Sequence, residues 1–374
     1  MITRTHDSVQ LSAQNRSSIA AERQVPAWQE IVRQSITDPS ELFERLGLDA
    51  NELAGARRAC QQFPLRVPRT WLSRIRPGDP DDPILRQVLP LSEELEAAPG
   101  FTSDPLGELC KNVCQGILHK YHGRLLLMPA QVCGVHCRYC FRRHFPYSKN
   151  RFNTTEWQAI LAYIKEQSSV TEVILSGGDP LVLSDRRLNG IVQGLAQIPH
   201  LKRVRIHTRM PIAIAERITP QLLQWLTGTR LQTVMVVHCN HPNELDEATK
   251  AALRKVHGSG IHLLNQSTLL KGVNDSADVL TELSEQLFSC GVLPYYIHLL
   301  DRVQGAAHFD VPVDRARSLL GEMSARCSGY LVPRLAREQA GCASKIVVAP
   351  LYEEVADTHS PTDSAEQTIV VCQS

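Results

Sequence analysis

Three cysteines stand at 133, 137 and 140 in the run CGVHCRYCFRRHF, a C-x3-C-x2-C spacing. Thiolates this close on one loop can converge on a single metal centre, and three sulfurs leave one position of a cubane iron-sulfur cluster unfilled, which is where chemistry happens. Two other readings stand beside it. One is a structural zinc with His136 or His144 as fourth ligand, although zinc sites usually draw on two separated ligand pairs; the other is three small residues buried for packing. Amine chemistry has few candidates, because the chain holds only nine lysines, at 111, 120, 149, 165, 202, 250, 255, 271 and 345. The other cysteines, at 60, 110, 114, 239, 290, 327, 342 and 372, have no assigned role, and the Cys110-x3-Cys114 pair is expected on a helix.

Groups that act together need elements that bring them together. From residue 124 onward short β-prone runs recur: LLLMPAQ (125–131), EVILSG (172–177), RVRIHT (203–208), TVMVVH (233–238), IHLLNQ (261–266) and PYYIHLL (294–300). Their starts are 47, 31, 30, 28 and 33 residues apart, the length that a strand, a crossover helix and two loops require. Six such units predict an α/β fold with parallel strands, with a partial (βα)6 or a complete barrel favoured over a doubly wound open sheet, a choice that periodicity alone does not decide. Each run ends in polar groups: Cys133; Ser176, Gly177, Gly178 and Asp179; His207, Thr208 and Arg209; His238; Asn265 and Gln266; His298 and Asp301. Active sites of parallel βα folds gather at these carboxyl ends, so the pattern predicts an enzyme.

Composition narrows the partners. The 374 residues carry 40 basic and 39 acidic side chains, a net charge of +1, which argues against a nucleic-acid binder. The amino terminus is polar, no apolar run approaches the roughly 18 residues of a membrane span, and a reducing cytoplasmic location is expected. Residues 1–24 read as a flexible tail, 25–115 as a helical and irregular wrap with helix-start signals at Asp38 to Ser40, 116–346 as the barrel and 347–374 as a carboxyl-terminal tail.

The cysteine motif, followed by SGGDP at the end of the next strand, resembles the radical S-adenosylmethionine superfamily. Further motifs resemble one branch: LRVPR, GDPDDP, APGFTSDPL, ILHKYHGR, CRYCFRRHFPY, SGGDPL, RIHTRMPI, NHPNE, LLNQS, GVND, PYYIHLLDRVQGAAHF and SGYLVPRLARE. From about residue 65 to 346 the chain is similar to the lysine 2,3-aminomutases, and among them to those that make (R)-β-lysine for elongation factor P. The resemblance implies a [4Fe-4S] cluster on Cys133, Cys137 and Cys140, and S-adenosylmethionine near Ser176, Gly177, Gly178, Asp179, His238 and Gln266. It also implies pyridoxal 5'-phosphate on Lys345, with Arg124 and Lys120 toward the phosphate. Glycines at 177 and 178 would let a ligand approach the backbone. Arg142 would hold the substrate carboxylate, and Asp301 and Glu338 the distal ammonium of lysine.

Three departures mark the branch. GCASK replaces the glycine-rich form before the lysine, Glu338 stands where the catabolic enzymes have Asp, and Ser276 follows GVND where they have a zinc-binding Cys. The family's structural zinc is therefore expected to be absent. The implied reaction uses one electron, from a donor such as flavodoxin or ferredoxin, to cleave S-adenosylmethionine. The radical so formed takes hydrogen from the β-carbon of lysine held on pyridoxal phosphate, and the nitrogen migrates. A ligase would then attach β-lysine to elongation factor P. The alternatives are an aminomutase of catabolism or biosynthesis acting on lysine, glutamate or another amino acid, and a noncatalytic iron-sulfur or zinc binding protein.

Overall fold

The computed structural model describes residues 26–114, 116–147 and 154–349. The expected tails at 1–24 and beyond 349, with Cys372, lie outside the described residues.

The wrap opens with helices α1 (Ala27–Arg33), α2 (Pro39–Leu46) and α3 (Leu53–Gln62). Asp38 starts α2 as its spacing predicts, accepting a hydrogen bond from the Ser40 amide at 2.9 Å, a side-chain cap followed by proline at the first helical position. The PGDPDDP stretch is a turn that ends on a buried cap: Asp82 accepts from the amides of Ile84 and Leu85 at 2.8 and 3.0 Å. The wrap is bolted to the barrel by Arg74, which donates to the Ile212 carbonyl at 2.5 Å and to Asp246 at 2.8 Å. Trp71 is fully buried in the same seam.

Ten strands form one sheet in chain order: β1 (Asn112–Cys114), β2 (Ile117–Tyr121), β3 (Arg124–Ala130), β4 (Glu172–Gly177), β5 (Arg203–Thr208), β6 (Gln232–Val237), β7 (His262–Thr268), β8 (Leu293–His298), β9 (Arg334–Arg337) and β10 (Ile346–Ala349). The strands from β3 to β9 pair in parallel, while β1, β2 and β10 are antiparallel additions at the two edges. The six expected strands are present within one or two residues, and a seventh parallel strand, β9, follows them. The sheet starts at Asn112 and ends at Ala349, overrunning the expected core of 116–346 at both edges. One expectation fails: the Cys110 to Cys114 stretch is not helical but a single 3-10 turn, Glu108–Lys111, running into β1.

Helices α4 (Thr154–Glu166), α5 (Asp185–Ala196), α6 (Pro220–Thr227), α7 (Glu247–Gly258), α8 (Ala277–Ser289) and α9 (Val313–Ser324) connect the parallel strands. Each of α5 to α9 buries one apolar stripe, as Leu188, Ile191, Val192 and Leu195 do on α5, so the strands beneath are covered. The sheet must curl. Tyr121 at the end of β2 donates a hydrogen bond to Glu338 just past β9 at 2.6 Å, although seven strand spacings would separate them by about 34 Å in a flat sheet. A side-chain bond across that gap makes the sheet a partial barrel whose edge strands do not pair with each other.

Candidate active site

The curled sheet and its carboxyl-end loops enclose a cavity of about 800 Å³, and every residue singled out from the sequence as a site residue lines it. At one end lie the three cysteines on the loop after β3. Burial pushes the Cys133 and Cys140 thiols up, Cys140 to about 11, and negative charge on the neighbouring cysteines adds to it. Sulfurs that feel one another this way are relieved by a shared cation. Among the described residues no group of three or more His, Cys, Asp or Glu side chains, the three cysteines included, is gathered closely enough to hold a metal ion. The two candidate fourth ligands for zinc point elsewhere: His136 Nδ1 lies 2.8 Å from the Pro64 carbonyl and His144 Nε2 3.2 Å from that of Gln304. A donor set of three sulfurs fits a [4Fe-4S] cluster with one open iron better than a closed zinc site.

The SGGDP segment crosses behind this loop. Gly177 has a φ of +100°, and a Cβ on Gly178 would stand 2.6 Å from the Val132 carbonyl oxygen. The room that glycine leaves here is filled by the chain's own cluster loop. Asp179 is equally committed: it accepts from Thr208 Oγ1 at 2.7 Å and from the amides of Leu181, Arg209 and Met210 at 3.0, 2.6 and 3.1 Å. Burial raises its pKa against those four donors. Its work is to tie the end of β4 to the end of β5.

Mid-cavity, Gln266 Nε2 lies 2.8 Å from His238 Nε2 and 3.4 Å from His207 Nδ1. Burial first, then the charges of Arg209, Lys345 and Arg142, lowers His238 to about 3, and burial holds His207 and His298 well below the ordinary range. Three neutral imidazoles on consecutive or near strands offer hydrogen bonds and stacking surface rather than charge.

At the far end Lys345, in the turn before β10, lies 3.3 Å from His298 Nε2 and 5.5 Å from the centre of the Tyr296 ring. Among the described residues two lysines line the cavity, Lys345 and Lys120; Lys271 is exposed and does not. Burial lowers the Lys345 pKa, opposed by Glu338 and Asp301 and helped by Arg205 and Arg124. A deprotonated amine is the form that attacks a carbonyl. Arg124 stacks on Tyr121 at 4.6 Å, and Arg205, which the sequence reading did not single out, has its Nε buried without a partner. This combination of one amine, spare guanidinium donors and aromatic surface fits pyridoxal phosphate.

Substrate-end charges are arranged in opposition. Asp301 is raised to about 7, by burial first and then by Glu338, and its carboxylate has no hydrogen-bond or ion-pair partner among the described residues. Arg142 and Lys120, expected at substrate and phosphate, are both engaged by a residue that the sequence reading missed. Glu108 takes the Arg142 fork at 2.7 and 2.8 Å and the Lys120 ammonium at 2.9 Å. Burial would raise Glu108, but the two cations bring it down to about 2. Glu108 sits in the wrap, and nothing in its local sequence marks it as facing the barrel mouth.

Comparison with known proteins gives the family. Residues 122–208 match a family model described as a 4Fe-4S single cluster domain. The L-lysine 2,3-aminomutase of Escherichia coli K12 is 50% identical over 311 residues, covering 83% of this chain and 91% of that protein. That of Haemophilus influenzae is 47% identical, covering 87% and 97%, and that of Clostridium subterminale 35% identical, covering 87% and 78%. Among solved structures, Streptococcus suis SuiB bound to S-adenosylmethionine aligns with a TM-score of 0.45 at 15% identity, over 62% of this chain and 54% of that one. By identity sustained over 78% to 97% of the length of these relatives, the chain belongs to the L-lysine 2,3-aminomutase family.

Proposed function

We propose that this chain converts L-α-lysine to (R)-β-lysine in the cytoplasm, and that the product is attached by a separate ligase to elongation factor P. The carrying observation is that Asp301 and Glu338 face the same cavity as Lys345, two acids suited to a distal ammonium. A glutamate mutase would need cations there. Among the described residues no helix is long and apolar enough to cross a membrane.

When bound, the cluster with S-adenosylmethionine supplies the radical that removes hydrogen, and pyridoxal phosphate carries the migrating nitrogen. The protein's part is placement. Cys133, Cys137 and Cys140 would hold the cluster; Ser176, Gly177, Gly178, His238 and Gln266 would flank S-adenosylmethionine. Lys345 would anchor pyridoxal phosphate, with Arg124, Arg205 and Lys120 toward its phosphate. Arg142 offers Nη1, the nitrogen that Glu108 leaves free, to a carboxylate, and the acids at 301 and 338 fix the other end of lysine. A substrate stretched between those points would have its β-carbon held in one position within the cavity.

The test is anaerobic incubation of reconstituted protein with dithionite, S-adenosylmethionine and pyridoxal phosphate against single amino acids, followed by chiral analysis of the products. (R)-β-lysine from lysine alone is the expected result. A β-amino product from glutamate, or none from lysine, overturns it. Transfer of the product to elongation factor P by a ligase, with reduction by flavodoxin or ferredoxin in place of dithionite, tests the partners.

A further inference from the structure

We propose that Arg209 sets the reduction potential of the cluster, holding a permanent positive charge and an N–H donor against one of its ligand sulfurs. The proposal rests on the assignment of the three cysteines to the cluster. Arg209 follows β5 and is buried, with Nη1 2.6 Å from Cys137 Sγ and also donating to the Tyr139 hydroxyl. Its Nη2 donates to Gln87 Oε1 at 2.6 Å and to Glu244 Oε2 at 3.0 Å. The guanidinium lies over Trp71, 4.8 Å from the ring centre.

These partners come from three parts of the chain: the wrap, the cluster loop and the segment after β6. They fix the guanidinium without freedom to swing away. Among the described residues Glu244 is the one carboxylate paired with the Arg209 guanidinium, and its other oxygen is shared by the amides of Asn240 and His241 and by Gln87 Nε2 at 2.9, 3.0 and 3.0 Å. That acid therefore answers the arginine only in part. The other partner that could carry negative charge, among the described residues, is the Cys137 sulfur, since a ligand thiolate of a cluster carries the charge that a neutral thiol lacks.

Reduction adds one electron to the cluster, taking it from the 2+ to the 1+ state, with no proton transferred. A buried cation beside a ligand sulfur favours the state with the extra electron, and an N–H bond to that sulfur draws density from it. Both raise the potential. Because an arginine keeps its proton throughout, the effect is independent of pH. It follows that the wrap, through Trp71 and Gln87, belongs to the electron-accepting end of the enzyme.

The experiment is a dithionite-poised titration of the full chain, anaerobically reconstituted with iron and sulfide. Reduced cluster is counted by electron paramagnetic resonance, without substrate, in wild type, Arg209→Gln and Arg209→Lys. At the wild-type midpoint, Arg209→Gln should show about tenfold less reduced relative to oxidised cluster, a midpoint lower by about 59 mV for a one-electron couple. Arg209→Lys keeps the charge but cannot reach sulfur and Glu244 together, so its midpoint should fall by less. An iron-complete Gln variant with the wild-type midpoint overturns the proposal; should that variant not hold a full cluster, an unchanged Lys variant does so instead. If neither variant assembles a cluster, Arg209 builds the loop and the tuning role is wrong. A wild-type protein that assembles none overturns the cluster assignment itself.

Discussion

The two ends of the cavity treat charge in opposite ways. At the cluster end Arg209, Gln87, Glu244 and Asn240 bond to one another and leave the buried Arg209 Nε alone without a partner, with Asn240 Nδ2 donating to Gln87 Oε1 at 3.0 Å. At the amine end Lys345 has no carboxylate within ion-pair distance among the described residues, and Asp301 is held partly protonated by burial and by Glu338. A preorganised network orients a permanent resident without rearranging, whereas unpaired buried charge is costly until a ligand of opposite sign arrives. The first end is built to keep what it holds, the second to exchange it.

If the ends are separate devices, each can be broken alone. Lys345→Ala should lower turnover by at least about 10³-fold and abolish labelling by borohydride with pyridoxal phosphate, while iron content stays at the wild-type level. Cys140→Ala should do the reverse, losing the cluster while peptide mapping still finds the label on Lys345. A label on Lys271 in wild type would end the assignment. Next in size is Asp301→Asn, which leaves one acid for the substrate ammonium. A charged hydrogen bond contributes about 1.5–3 kcal/mol, so KM for lysine should rise about 10- to 150-fold with a smaller change in kcat. Steady-state kinetics checks the split, and an unchanged KM would move the ammonium site elsewhere.

The same division decides what the sequence could tell. The strands from β3 to β8 were legible because each is an apolar run long enough to show, and the strand-end groups of β3 to β8 were legible because βα architecture fixes where strands end. Strand β9 was not: its four residues, RLAR, expose both arginines and bury only Leu335 and Ala336, too short a pattern to register. Glu108 and Glu244 were invisible as partners because their meaning depends on contacts 34 and 35 residues away, to Arg142 and Arg209. Arg209 was counted among strand-end groups without a role, since nothing local shows it turning back toward Cys137. Gly178 was legible as a close approach, but what approaches is Val132.

Titration separates the ends more gently. Asp301 titrates near 7 in the folded chain against an ordinary 3.8, so between those values the folded state binds the extra proton. Its contribution to stability is therefore full below about 3.8 and is lost as pH rises through 7. Lysine binding runs the other way, because only the ionised carboxylate attracts the ammonium. From pH 6 to 7, KM should fall by at most about tenfold, and Asp301→Asn should flatten both this slope and the matching decline in melting temperature. A variant that keeps the wild-type slope would assign it to another group.

The smallest expected effect tests the join between barrel closure and substrate charge. Tyr121→Phe removes the hydroxyl that Glu338 accepts from at 2.6 Å and keeps the ring beneath Arg124, so cation–π stacking survives. Freed of that donor, Glu338 loses both its orientation and part of what lowers its pKa, where burial is opposed by Lys345, Lys120 and Tyr121. KM for lysine should rise about 2- to 10-fold, a hydrogen bond's worth, with iron content and the cluster midpoint unchanged. A drop in melting temperature with KM unmoved would mean that the bond only closes the sheet, and that Glu338 answers to the seam rather than to the substrate.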